Sequence, residues 1–431
     1  MDKSDSVVTI SSHTTFTNRH FILFCLSGIL FSCSMFYRTS NAIIAPQLQN
    51  DLFLSHEALG SLSAAFFYSF AIMQVPMALL IDRLGARFIM TALTMVGAVG
   101  SFVFAFSPGY GMALVGRVLL GCGMAGNFIG GLKLFTSWFS AREFATVSGL
   151  YAGIGTLGSF MASTPLAVMV DTIGWRASFG ITGAGTALTA FLFYTLIRDT
   201  PFSTPANVIE ESRRPRTSAN LARLFRSRDY WLISCGAFFR YGTLMSIQGL
   251  WAGPYLLECL RLSPVHAGNL IMLITIGYVI GCSAGGWLSD RVLASRKYVV
   301  VLGLIGMTAI SLCLTLSWGQ SSDFPRACVF FGLGLFSGAC NVMYAHIKEV
   351  VPFEMAGMAL TGINFFTMLG VGVYIHVMGW VMDHMAEGKR AGMEEYQVVF
   401  SLALAGLALA TILYLFTKES REIQKHSGAG R

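Results

Sequence analysis

Three basic side chains interrupt long apolar runs: Arg38 in FYRTSNAIIAP, Arg240 in AFFRYGTLMS and Lys133 in GGLKLFTSWF. A guanidinium stays charged at any physiological pH and presents a planar fork of donors that matches carboxylate or phosphate oxygens two at a time. In a bilayer such a charge costs ~2.5–3.5 kcal/mol on insertion scales, so it faces the bundle interior or a wet cavity. The runs that hold these three residues contain no Asp or Glu. A buried cation without a partner is expensive, and charge-assisted pairing relieves it, so the simplest partner is a small anionic substrate. Arg38 has a polar face for that role, with Ser34 at i−4 and Asn41 at i+3. Two alternatives stand beside this reading. Arg38, eight residues before Pro46, reaches the interface by snorkelling, and Arg240 is a basic residue close to the end of its span. Lys133, five residues before Trp138, fits a gating or topological role as well as a binding one. The candidate polar neighbours are Tyr37, Asn41, Asn127, Tyr241, Gln248, Asn341, Tyr344 and Asn364. His346 and His376 are the candidates for carrying a coupling proton, each with a structural role as its alternative; anion exchange needs neither.

The elements that hold these residues are membrane spans. The chain has 431 residues, 54% of them hydrophobic and 12% charged, with mean hydropathy +0.63. That is too apolar for a soluble domain of ordinary composition. Runs long enough to cross a bilayer recur twelve times, at 21–45, 58–80, 89–106, 110–136, 144–170, 177–197, 230–255, 267–288, 298–318, 327–347, 356–382 and 396–417. No small-residue cleavage site follows the first run, so no removable signal peptide is expected. Lys and Arg outside the spans divide 20 to five between the side that holds both tails and the opposite side. The positive-inside rule therefore predicts cytoplasmic termini, in a cell inner (plasma) membrane. The basic segment 213–228 reads as a positive-inside loop, with a lipid or nucleic-acid patch as the alternative. No nucleic-acid partner is expected, and the partners are the bilayer, a small anion, and protons or a counter-anion for a monomeric chain.

Enzyme and cofactor chemistry have little support. Nine cysteines include no CxxC, and eight histidines show no metal or triad spacing. GCGMAG (121–126) and GIGTLG (153–158) match the dinucleotide fingerprint, but both lie in mid-helix, where small residues serve close helix packing. No cofactor, metal or catalytic residue is assigned.

The polar segment 198–229 separates six spans from six, and the halves are related. Leu54, Ser55, Gly60, Asp82 and Arg83 correspond to Leu262, Ser263, Gly268, Asp290 and Arg291, each at an offset of 208. A constant offset across separated blocks points to duplication, as in many transporters. The expected fold is all-α and integral to the membrane, with twelve transmembrane helices in two pseudo-symmetric six-helix bundles. The boundaries are a tail at 1–20, bundles at 21–197 and 230–417, a linker at 198–229 and a tail at 418–431.

MALLIDRLGARF, with Asp82, Arg83, Gly85 and Arg87, resembles the loop motif between helices 2 and 3 of the major facilitator superfamily, although Ala78 replaces its leading glycine. Arg117 and Gly121 resemble the family's R-x-x-x-G in helix 4. This resemblance covers nearly the whole chain and implies alternating access, with Asp82, Arg83, Gly85, Arg87, Asp290, Arg291 and Arg117 as gating residues. Within the family, YRTSNAIIAP, FFRYG and Lys133 resemble the organophosphate and organic-anion transporters, which implies that Arg38 and Arg240 flank a central cavity and bind an anion from either half. The helix-5 histidine of phosphate-ester exchangers and the aspartate before the helix-1 arginine of proton-coupled sugar-acid members are both missing. Arg240 also falls six residues before the repeat partner of Arg38, or ~9 Å along an ideal helix. The expected function is secondary active transport of a small carboxylate or phosphate ester, by proton symport or anion exchange. The alternatives are an exporter of amphipathic drugs or neutral metabolites and a non-transporting receptor of the same fold.

Overall fold

Ser55 and Ser263 each end an extended turn and start a helix, their hydroxyls accepting the amides of Ala58 at 3.1 Å and His266 at 3.3 Å. Two residues earlier in each case the chain passes through the left-handed region, at Phe53 and Arg261, both with φ of 52°. Bulky residues rarely adopt that conformation. The same unusual turn, 208 residues apart, is the duplication written in backbone.

The structure, a computed structural model, describes residues 18–200, 218–316, 322–352, 355–386 and 391–419, and for 78, 79, 141, 142, 145 and 218–221 the backbone alone. The outer parts of both tails, most of the 198–229 linker, and Lys389 and Arg390 lie outside these residues. In the first half, α1 is Asn18–Thr39, continued after a break at Ser40 by Asn41–Leu52. Then come α2 (His56–Leu84), α3 (Ala86–Ala105) and α4, which is Tyr110–Met124 followed by Asn127–Trp138. Ala141–Met161 and residues 164–173 make α5; Gly174, at φ 78°, turns the chain into α6, residues 175–196. In the second half, α7 is Arg228–Ser246 extended through wide π-turns at Ile247–Trp251 and Tyr255–Cys259. Next are α8 (Pro264–Trp287), α9 (Arg296–Thr315) and α10, Asp323–Ala339 and Met343–Val350 joined by a tight turn at Cys340–Val342. Finally α11 (Ala356–Ala386) and α12 (Met393–Leu415) close the second bundle.

Among the described residues, ten stretches are apolar and long enough to cross a membrane. One of them, Thr146–Leu196, holds both α5 and α6, and the more polar α7 is the twelfth column. Thus the two six-helix bundles expected from the sequence are present.

The bundles meet through small residues on the half of the molecule far from the chain termini. A Cβ on Gly253 of α7 would run into the Ala42 carbonyl of α1, and one on Gly249 would approach the Arg38 carbonyl to 3.1 Å. Gly60 of α2 faces Ile375 and Gly379 of α11, while Gly268 of α8 faces Thr164 of α5. In lipid, where apolar side chains gain nothing by leaving water, such close backbone approach is a main source of helix adhesion. Columns α1, α4, α7 and α10 share another feature: each loses regular α-geometry in mid-span, at Ser40, Ala125 to Gly126, Ile247–Trp251 and Cys340–Val342.

Candidate functional site

Arg38 occupies the last turn before the break in α1 and is 5% exposed. Its guanidinium lies over the Phe70 ring of α2, 4.3 Å from the centroid, and its Nε has no hydrogen-bond partner. Cation–π contact of this kind offsets part of the desolvation cost without consuming the fork of donors. Arg240 of α7, 1% exposed, donates from Nη1 to the Ser337 carbonyl of α10 at 2.8 Å, and its Nε also lacks a partner. Tyr241 packs against it, and Tyr278 and Tyr344 lie within its electrostatic reach. Tyr344 of α10 is half-buried. Asn341 joins the group by accepting from the Tyr278 hydroxyl at 3.4 Å. Among the described residues, no carboxylate forms an ion pair with Arg38, Arg240 or Arg117.

The depth offset expected from the repeat arithmetic is present. Gly249, not Arg240, stands beside the Arg38 backbone, and nine residues of helix separate the two, ~13 Å at 1.5 Å per residue. By backbone position Arg240 therefore lies toward the termini end and Arg38 toward the far end.

Other predicted neighbours are engaged inside one bundle. Tyr37 bonds Thr186 at 3.2 Å, Asn41 donates to Ser63 at 2.7 Å, and Gln248 donates to Thr275 at 2.8 Å. Asn127 is fully buried, accepting from Thr94 at 2.9 Å and donating to the Leu30 carbonyl at 3.1 Å, so it ties α1, α3 and α4 together. Arg117 is likewise fully buried, donating to the Tyr37 carbonyl at 3.2 Å between the Phe66 and Phe104 rings. Asn364 is different: it donates to Gln74 at 3.0 Å and so links α11 to α2 across the bundle interface.

Lys133 is apart from the arginines. It pairs with Asp82 at 3.1 Å near the termini end, where both are substantially exposed. The rest of that loop docks on the end of α6: Arg87 donates its amide to Asp199 at 2.8 Å and its guanidinium to the Tyr194 carbonyl. Gly85, at φ 86°, is the residue that permits the turn, since a Cβ there would also meet the Asp199 carboxylate at 2.7 Å. In the second bundle Asp290 pairs with Arg296, which also binds Glu349 at 3.1 Å, while Arg83 and Arg291 are exposed. His346 is enclosed at this end by the Tyr414 hydroxyl and the Lys418 carbonyl, at 2.7 and 2.8 Å. His376 of α11 faces Ser61 of α2 at 3.2 Å.

Asp383 carried no signal in the sequence. Its carboxylate, at the far end of α11, accepts the amides of His56 and Glu57 at 2.8 and 3.0 Å and meets the His56 ring at 3.3 Å. It caps the N-terminus of α2 from the other bundle. Phe70, Tyr278 and Ser337 were equally silent in the sequence, being ordinary residues of apolar helices; Asp199 was marked only by its place directly after a span.

Comparison with known proteins adds the following. The model of a family described as the Major Facilitator Superfamily matches residues 26–372 and 233–431. A probable sulfoacetate transporter of Cupriavidus necator is 24% identical over 92% of this chain and 94% of its own. A membrane sensor protein of Escherichia coli K12 is 23% identical over 96% and 95%. Among solved structures, an inward-facing, occupied bacterial homologue of the human lysosomal transporter Spinster superposes with a TM-score of 0.73 at 17% identity, covering 93% of this chain and 96% of that one.

Proposed function

Because the chain belongs to the Major Facilitator Superfamily, we propose that it is a secondary active transporter whose cargo is a small organic anion, a carboxylate or phosphate ester. The observation that carries this reading is the pair of buried guanidinium groups, one from each bundle, without a carboxylate partner among the described residues. An anion that enters between the bundles supplies the missing charge, and the forks of Arg38 and Arg240, one from each bundle, offer it donors. The similarity to a protein named as a sulfoacetate transporter, whose substrate is anionic at both ends, supports the same class.

The two bundles, 21–197 and 230–417, rock about this site. Contacts of α1 with α7, α2 with α11 and α5 with α8 close the far end, while the Asp82–Lys133 and Asp290–Arg296–Glu349 groups bond within their own bundles at the other. The 20-to-five division of basic residues makes that side cytoplasmic. Lys133 then belongs with Asp82, Arg83, Gly85 and Arg87 to the gate. Coupling is proton symport, with His346 or His376 as the proton carrier, or anion exchange.

The similarity to a membrane sensor over nearly the whole chain favours one second reading, a receptor that binds the same anion without carrying it. Thermal stability of the purified protein, screened against small mono- and dianions, tests the binding site common to both. A true ligand at 100 times its Kd adds about 2.7 kcal/mol of apparent stability. That gain should fall for Arg38→Lys and Arg240→Lys; stabilisation by neutral or cationic compounds alone would reject the anion.

A further inference from the structure

A short helix, Ser218–Phe225, precedes α7 and lies against its first turns. Leu224 is buried, the Trp231 indole donates to the Phe225 carbonyl at 2.8 Å, and the Phe225 and Trp231 rings pack 5.8 Å apart. The outer face of this corner is not apolar in the way a lipid-tail surface is. Phe225 and Trp231 are each 45% exposed, and around them stand exposed Arg223, Arg226 and Arg228. The Arg228 guanidinium reaches over Phe416, the exposed residue that ends α12, at 5.9 Å from the ring centroid. Exposed Lys418 follows two residues on. Asp229 is the carboxylate that would be expected to neutralise this group, but it is turned inward, accepting the Lys418 amide at 2.9 Å. Among the described residues, no ion pair engages Arg223, Arg226 or Arg228.

Depth gives the patch its meaning. It sits where α7 begins and α12 ends, the level at which spanning helices leave hydrocarbon for headgroups. Aromatic rings settle at that level, and each Lys or Arg near an anionic membrane surface gains about 1 kcal/mol, roughly fivefold in affinity. From this combination we infer that the corner formed by Ser218–Phe225, the start of α7 and the end of α12 is a headgroup site for anionic phospholipid in the leaflet on the termini side. The phosphodiester is bound by Arg223, Arg226 and Arg228, with Trp231 and Phe225 beside the glycerol backbone. The inference is independent of what the protein transports.

The test uses the full chain in phosphatidylcholine bilayers containing a fixed fraction of either brominated phosphatidylglycerol or brominated phosphatidylcholine. Quenching of Trp231 is read as the difference between the wild type and Trp231→Phe. The expected result is several-fold stronger quenching by the brominated anionic lipid, lost in Arg223→Gln/Arg226→Gln/Arg228→Gln and largely kept in the corresponding triple lysine variant. Should Trp231→Phe not fold, the thermal shift of the detergent-solubilised protein on adding phosphatidylglycerol replaces it, with phosphatidylcholine and inorganic phosphate as controls. Equal response to both lipids, or a preference that survives the triple glutamine substitution, would show a merely solvated basic loop and overturn the proposal.

Discussion

Arg38 and Arg240 are held differently, and the difference sets what each substitution does. Arg240 is tied to the Ser337 carbonyl of its own bundle at 2.8 Å, whereas Arg38 rests on the Phe70 ring. Arg38→Lys keeps the charge and loses the fork; hydrogen bonds to charged groups contribute about 1.5–3 kcal/mol, so anion affinity should drop about 10- to 100-fold with little change in melting temperature. Arg240→Lys should lose comparable affinity and some stability as well, because its link to α10 also goes. Isothermal titration and thermal unfolding of both variants separate these outcomes. The arginines were legible in the sequence because charge inside an apolar run is costly enough to demand a reason. Asn127 and Lys133 were not resolved by the same logic. Polarity within a span shows that a side chain needs partners, but not whether those partners are a cargo, as proposed for the arginines, or the protein itself, as Thr94, Leu30 and Asp82 prove to be.

The columns carry a second kind of information, which lies between residues distant in the chain. Asp383 stands 327 positions from the amide of His56 that it accepts, and no local pattern could announce that pairing. Because it joins the two bundles at the far end, it is a latch on that end in the transport cycle proposed above. Removing an N-cap costs about 0.5–2 kcal/mol, so Asp383→Ala should shift the balance about two- to thirtyfold toward the state open at the far end. Distances between spin labels on the far ends of α2 and α11 would lengthen; an unchanged distribution would remove the latch. The breaks in α1, α4 and α10 were hidden for a related reason. In α7, Gly249 and Gly253 pack against the backbone of α1, and the same segment widens into a π-turn. Such turns recur at functional sites.

At the scale of the molecule the sequence was most informative. Hydropathy located the spans, since backbone groups in lipid have few ways to be satisfied other than by helix. The offset of 208 located the duplication, and the paired left-handed turns at Phe53 and Arg261 are its structural trace. Orientation rests on charge alone. Fluorescent protein fused to the C-terminus should therefore fold and fluoresce, and alkaline phosphatase fused at the same place should be inactive; the reverse pattern would invert every inside and outside assigned to the gates.

Anion carriage is the claim on which these scales converge, and counterflow tests it most directly. Proteoliposomes loaded with an unlabelled small organic dianion, identified by thermal shift, are diluted into a trace of the same compound labelled. A transient overshoot of label inside is the predicted result, abolished when Arg38 and Arg240 are both lysine. Binding of the dianion without any overshoot, or an overshoot of equal size in the double variant, would contradict it.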